Sequence, residues 1–202
     1  FCVYKIKRLG EQWLVHYVNN NKRSKIKAKN VVLAAGSIGT PLILKRSGIS
    51  KLAGKTLKMH PTIKVVALFN EDVNYDGMGV PVHQVTEFFP DYTFGCSISS
   101  KPYIKLAILD HYECLEKVDF LWKKMAIYYA AIIPEGSGRI INTPFFNDPI
   151  ITYKLSKKDE YNLSEGLKKL CMLLLSSGAI ELYPCINESQ IIKSADDLSK
   201  LP

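Results

Sequence analysis

Apolar and polar residues change their period several times along this chain, and each change predicts an element. Val3 to Ile6, Gln12 to Val18 and Ser24 to Ala28 are short alternating runs. The triplet Asn19-Asn20-Asn21 separates the last two. Such runs joined by Asn-rich turns predict a β-meander. Val31 to Ala35 is a five-residue apolar run bounded by Gly36, the pattern of a buried strand in a parallel sheet. Gly36 and Gly39 then predict a tight turn, Thr40 a cap, and Pro41 the first turn of a short helix that Ser47-Gly48 stops.

From Thr62 onward the pattern is mostly strands: Thr62 to Phe69, Val82 to Phe89, Tyr92 to Ser99, Met125 to Ile133, Arg139 to Asn142, Pro149 to Leu155 and Glu181 to Ile186. Breaks at Asp76-Gly77-Met78-Gly79, Pro90-Asp91 and Gly136-Ser137-Gly138 separate them as hairpins or loops would. Met125 to Ile133 is apolar on both faces, which predicts a central strand. Strands that follow one another without helices predict an antiparallel sheet. Lys105 to Met125 has a helical pattern interrupted by Asp110, His111 and Asp119, and reads as an irregular flap over a substrate. Ser156 with Asp159 has the spacing of a capping box. Leu163, Leu167, Leu170 and Leu174 form one buried helical stripe, and Gly178 closes that helix. The tail predicts a turn capped by Ser194. The fold class is therefore α/β followed by α+β, the second part an antiparallel sheet backed by helices.

Composition narrows the classes. A hydrophobic content of 47% over 202 residues suffices for a core of one large or two small domains. No apolar run approaches the ~20 residues that span a bilayer, and Phe1 reads as the middle of a protein. Five scattered cysteines without C-x-x-C spacing suggest neither a disulfide framework nor a metal site, and fit a reducing, cytoplasmic setting. The net charge of +8 raises nucleic-acid or anionic-membrane binding. Lysines spread along the chain, often paired with acids, argue against both, and the lack of a basic run interleaved with aromatics argues further against nucleic acid.

Candidate chemistry starts at the bend after Ala35. A strand, a G-x-x-G turn and a helix N-terminus aim backbone N–H groups and a positive dipole end at one point, which suits a phosphate or ribose. The same turn also serves plain packing in many α/β proteins. The residues AAGSIGTPLILKRSGI followed by GKTLKMHP resemble the second signature region of the glucose-methanol-choline (GMC) family of FAD-dependent oxidoreductases. The likeness extends along nearly the whole chain, nearest to bacterial members acting on large alcohols and more remotely to cholesterol oxidases. Lys45 and Ser50 depart from the family pattern, which usually has an aliphatic residue and a glycine there.

The resemblance implies FAD as cofactor, held by Ala35, Gly36, Ser37, Gly39 and Thr40, with Val3 meeting the adenine. It implies that residues 1–60 are the C-terminal part of a Rossmann-like FAD-binding domain and that 61–202 are an incomplete substrate-binding domain, the boundary falling near His60. It implies oxidation of the CH–OH group of an alcohol, with a principal His and Asn pair beyond Pro202. The chain alone is then expected neither to retain flavin nor to turn over alcohol. Abundant apolar and aromatic residues in the second half point to a bulky apolar substrate, and the electron acceptor is not readable.

Within the chain, Glu87 is the candidate base. On a strand it would share a face with Val85 and Phe89, be poorly solvated and have its pKa raised. Glu87 with Pro90 also resembles an E-x-x-P setting of cholesterol oxidases. The alternative is an edge-strand charge facing water. Tyr128 and Tyr129 on the central strand, and His83, are candidate substrate contacts, with core tyrosines as the plain alternative. A competing function is a lipid- or sterol-binding module without redox chemistry.

Overall fold

A computed structural model describes residues 1–143 and 148–201. In chain order its first elements are strands β1 (Cys2–Leu9), β2 (Gln12–Asn19) and β3 (Lys22–Ala28), helix α1 (Gly36–Arg46), and strands β4 (Thr62–Phe69), β5 (Gln84–Val85) and β6 (Thr93–Cys96). Helices α2 (Lys101–Ala107) and α3 (Leu115–Leu121), strands β7 (Met125–Ala131), β8 (Ser137–Ile141) and β9 (Ile150–Lys154), helix α4 (Lys157–Ser176) and strand β10 (Ala179–Pro184) follow. The chain divides into two compact units: Phe1–Met59 with Gly136–Lys154, and His60–Glu135 with Leu155–Pro202.

The first unit contains the meander, in the order β1-β2-β3. Asn20 and Asn21 form its second turn with φ of 46° and 60°, the left-handed geometry whose twist matches an antiparallel ribbon. One side of the meander packs inward at Ile6, which is 3% exposed and whose N–H donates to Ser47 Oγ at 2.8 Å, while Leu42 and Ile43 of α1 are buried. The β8–β9 hairpin belongs to this unit, where the sequence pattern placed it with the later strands. Its attachment is specific: Leu57 and Gly138 exchange backbone hydrogen bonds of 2.9 and 2.8 Å, and Ile140 N–H donates to Gly54 O at 2.7 Å. Gly138 is required there, since a Cβ would lie 2.1 Å from Thr152 O. Lys45, the departure from the family pattern, donates to Ile140 O at 2.5 Å and so helps hold the hairpin. Ser50, the other departure, accepts from the N–H of Ala53 at 3.1 Å in a local turn.

Two expectations for this unit fail. Residues 31–35 form no strand, because among the described residues nothing pairs with them, and Val32 is 89% exposed. A strand without a ladder partner has no source for its hydrogen bonds. The helix starts at Gly36 rather than at Pro41, which lies inside it. Gly36 makes the sharp bend into the helix with φ of 74°.

The second unit is built on a five-stranded antiparallel sheet, ordered β10-β4-β7-β6-β5, with β7 in the centre as its two-sided apolar pattern predicts. Alternation along β4 sends Val65, Ala67 and Phe69 to one face and Val66 and Leu68 to the other. The first face packs on α4 through Leu167, Leu170 and Leu174, with Leu163 beside them. Ser156 and Asp159 form the capping box, Asp159 N–H donating to Ser156 Oγ at 3.1 Å. Gly178, φ 95°, closes the helix. Ser194 likewise opens a terminal turn, its N–H donating to Asp197 Oδ2 at 3.2 Å.

The opposite face is covered by the segment expected to be a loose flap. Ile104, Ile108 and Val118, all 0% exposed, pack α2, α3 and the short 3-10 turns around them onto Val66, Met125 and Ile127. Its interruptions are local: His111 departs from helical geometry, and its ring, 2% exposed, bonds Pro184 O at 3.0 Å.

Folding also sorts the charge. The first unit holds fifteen Lys and Arg against Glu11 and Asp148, a formal +13, while the second holds twelve against seventeen acids, −5. The acids thought to be interspersed with the lysines are mostly in the other unit.

Candidate functional site

In the first unit the bend after Ala35 is open. Ala35, Gly36 and Ser37 are exposed, and nothing lies within 4 Å of a Cβ built on Gly36. Thr40 Oγ1 accepts from the N–H of Ala35 at 3.0 Å and fixes the turn rather than capping the helix end. Among the described residues no side chain caps the N-terminus of α1. Its first N–H groups are thus left for another acceptor. Gly39 serves packing, since its Cβ position is 3.0 Å from Ala35 Cβ. Val3, 37% exposed, pairs with Tyr17 at an irregularity of β1. Together these features fit a phosphate- and ribose-bearing group such as FAD: an unfilled approach to the backbone, free donors and no competing carboxylate in the turn.

In the second unit a cavity of about 560 Å³ opens between the sheet and α4. Phe69, Val73, Phe94, Tyr128, Leu170 and Leu174 make its apolar wall, and His83, Glu71 and Ser177 its polar part. This size and lining are those of a small-molecule site. Burial raises the pKa of Tyr128, with Cys96 beside it adding to the rise, and burial likewise raises that of Cys96, so both wall groups stay neutral.

The predicted substrate contacts separate. His83 and Tyr128 meet at the cavity, but Tyr129 does not line it. Successive residues of a strand face opposite sides, and the Tyr129 ring instead covers Gly95, whose Cβ position is 2.5 Å from the hydroxyl. Glu87 is corrected too. The strand around it is only Gln84–Val85, and Glu87 lies in the following turn, exposed. The neighbouring Phe88 turns inward and stacks on Tyr92 with centroids 5.2 Å apart, which sends Glu87 to solvent. The buried strand position expected for Glu87 is absent. Among the described residues no group of His, Cys, Asp and Glu could hold a metal ion, and no helix is long and apolar enough to cross a membrane.

Sequence reading missed a charged network on β10. Glu181 bonds Lys117 and Tyr183, and its second oxygen meets Lys193 Nζ at 3.1 Å. Burial opposes ionisation of Glu181, but hydrogen bonds from Lys117, Tyr183 and Lys193 outweigh it and hold its pKa down at about 2. A carboxylate depressed by folding stabilises the protein above its unfolded value near 4.5 and loses that contribution as pH falls toward 2. The expected loss is on the order of 2 kcal/mol. Urea titrations in that pH range are expected to show a steeper acid decline for the natural protein than for Glu181→Gln; parallel declines would remove Glu181 as the source. No spacing rule revealed the network, because Lys117, Glu181 and Lys193 meet only through tertiary packing.

Residues 14–62, which include the bend, match the sequence model of a family described as GMC oxidoreductase. An uncharacterized GMC-type oxidoreductase of Sinorhizobium fredii is 31% identical over 176 residues, covering 87% of this chain and 35% of that protein. The long-chain-alcohol oxidase FAO1 of Arabidopsis thaliana is 26% identical over 190 residues, 85% of this chain and 24% of its own length. A GMC-type oxidoreductase of Mycobacterium tuberculosis is 26% identical over 179 residues, 85% and 28% respectively. The class these matches define is that of flavoprotein oxidoreductases. Within it, the chain belongs to the GMC oxidoreductase family. It spans between 24% and 35% of the length of these relatives.

Proposed function

We propose that the chain contributes to an FAD-dependent enzyme that oxidises the CH–OH group of a bulky, apolar alcohol. In this reading residues 1–60, with the β8–β9 hairpin that joins their unit, belong to the FAD-binding part, and the remainder of 61–202 to the substrate-binding part. The observation that carries it is the open bend at Gly36, inside the segment that matches the family, with uncapped N–H groups and room for a ligand against the backbone. Bound FAD supplies the hydride acceptor that the side chains lack. The chain's residues have the supporting tasks: the N–H groups after Gly36 hold a phosphate or ribose, and Val3 meets the adenine. The wall of Phe69, Phe94, Tyr128 and Leu170 keeps water from an alkyl group. Two relatives named long-chain-alcohol oxidases support an apolar alcohol.

Anaerobic addition of 1-dodecanol to the flavin-loaded polypeptide that carries this segment is expected to bleach the oxidised flavin band. A bound flavin that stays oxidised with every aliphatic alcohol would overturn the reading. The lipid-binding alternative draws on one observation, that the cavity wall comes wholly from the second unit. Tight dodecanol binding with no flavin reduction would favour it.

A further inference from the structure

Five of the fifteen Lys and Arg of the first unit lie on one face of the meander. Lys5, His16 and Lys25 stand in one cross-strand row, Lys7, Leu14 and Lys27 in the next, and Arg23 stands opposite Val18. Paired residues share a face and alternate residues repeat it, so all five cations lie on one side. The other side carries Ile6, Val15 and Ile26, and buries Ile6. Strand geometry puts the two rows ~7 Å apart and the lysines within a row ~10 Å apart.

Among the described residues no carboxylate forms an ion pair with any of these cations. Their field is felt locally: burial first, then Lys25, Lys5 and Lys7, hold the His16 imidazole below its ordinary pKa. His16 Nε2 is buried without a partner. Five like charges repel one another, and a protein keeps them together at some cost to stability unless a counter-charge is met.

We infer that this face docks on the surface of an anionic lipid bilayer. Lysine predominates, and it acts as a hydrated point charge suited to a diffuse layer of headgroups, whereas paired recognition of single phosphates favours the arginine fork. Base stacking, which a single-stranded nucleic acid would use, lacks a bare ring here. The ring of Tyr4 lies under Arg23 at 5.9 Å and against His16 at 6.0 Å. An open sheet face also matches a planar partner better than a strand that needs a groove.

Sedimentation of the 202-residue chain with phosphatidylcholine vesicles, with and without phosphatidylglycerol, tests this. Binding is expected only to the anionic vesicles and is expected to weaken steeply with salt, since the screening length falls from ~10 Å at 0.1 M to ~3 Å at 1 M. The exposed pair Lys25→Gln/Lys27→Gln is expected to lower the partition coefficient by about fivefold per lysine, and Lys51→Gln/Lys55→Gln, off this face, by much less. Equal losses from the two pairs would overturn the inference. So would equal binding to neutral vesicles, or tighter binding to a single-stranded oligonucleotide than to the anionic vesicles.

Discussion

Replacing Leu167 by alanine is expected to lower the unfolding free energy of the second unit by about 3 kcal/mol, within the range for a buried leucine that leaves a cavity. Leu167 is 0% exposed and sits where α4 meets β7, beside Ala130 and Phe94. The gap cannot close easily. Gly166, the preceding residue, already brings the helix so near the sheet that its Cβ position is 3.2 Å from Ala130 Cβ and 3.3 Å from the Tyr92 ring. Leu173, on the same helix and 42% exposed, is the control, and its truncation to alanine is expected to change stability by less than ~1 kcal/mol. Urea titration followed by Trp122 fluorescence reads the second unit, since the other tryptophan, Trp13, lies in the first. Equal losses from Leu167 and Leu173 would mean that α4 does not dock as described.

The same helix shows what the sequence made legible. A stripe at helical spacing, a Ser-x-x-Asp start and a glycine stop are local signals that agree with one another, and Ser156 to Gly178 folds as they predict. The meander and the central β7 were readable for the same reason, since each pattern has one period and clear punctuation. Val31 to Ala35 was not, because apolar content predicts burial but does not supply a hydrogen-bonding partner. Glu87 failed through its neighbour: a strand that stops at Val85 frees Phe88 to join Tyr92 and Phe94, and no propensity scale sees that aromatic cluster. The separation of Tyr128 from Tyr129 followed from strand alternation alone and was available from sequence.

The charge asymmetry was half legible. Glu11 is the sole acid before residue 60, yet the cations gain meaning only when the register of β1, β2 and β3 lines up alternate lysines on one face. The hairpin at β8 and β9 then joins this unit from far along the chain through Gly138, adding Arg139 and Lys154 against Asp148.

Leu173→Trp is expected to weaken 1-dodecanol binding by tenfold or more while leaving the fold intact. Leu173 lines the cavity, and as a half-exposed helical residue it accepts a larger ring without disturbing Leu167 or Leu170. An indole there takes space that alkyl carbons would fill. Each methylene transferred from water is worth about 0.8 kcal/mol, so denying room to two of them already changes affinity by about tenfold. The decisive readout is the chain-length series from octanol upward, measured by calorimetry on the flavin-free chain. In the natural protein, affinity is expected to rise about fourfold per methylene until the cavity of about 560 Å³ is filled. In the variant the rise is expected to stop at a shorter alcohol, with short alcohols bound equally by both proteins. An unchanged series in Leu173→Trp would put the alkyl group elsewhere and separate the cavity from the substrate, because a ring inserted beside Leu170 and Tyr128 cannot leave a bound chain there undisturbed.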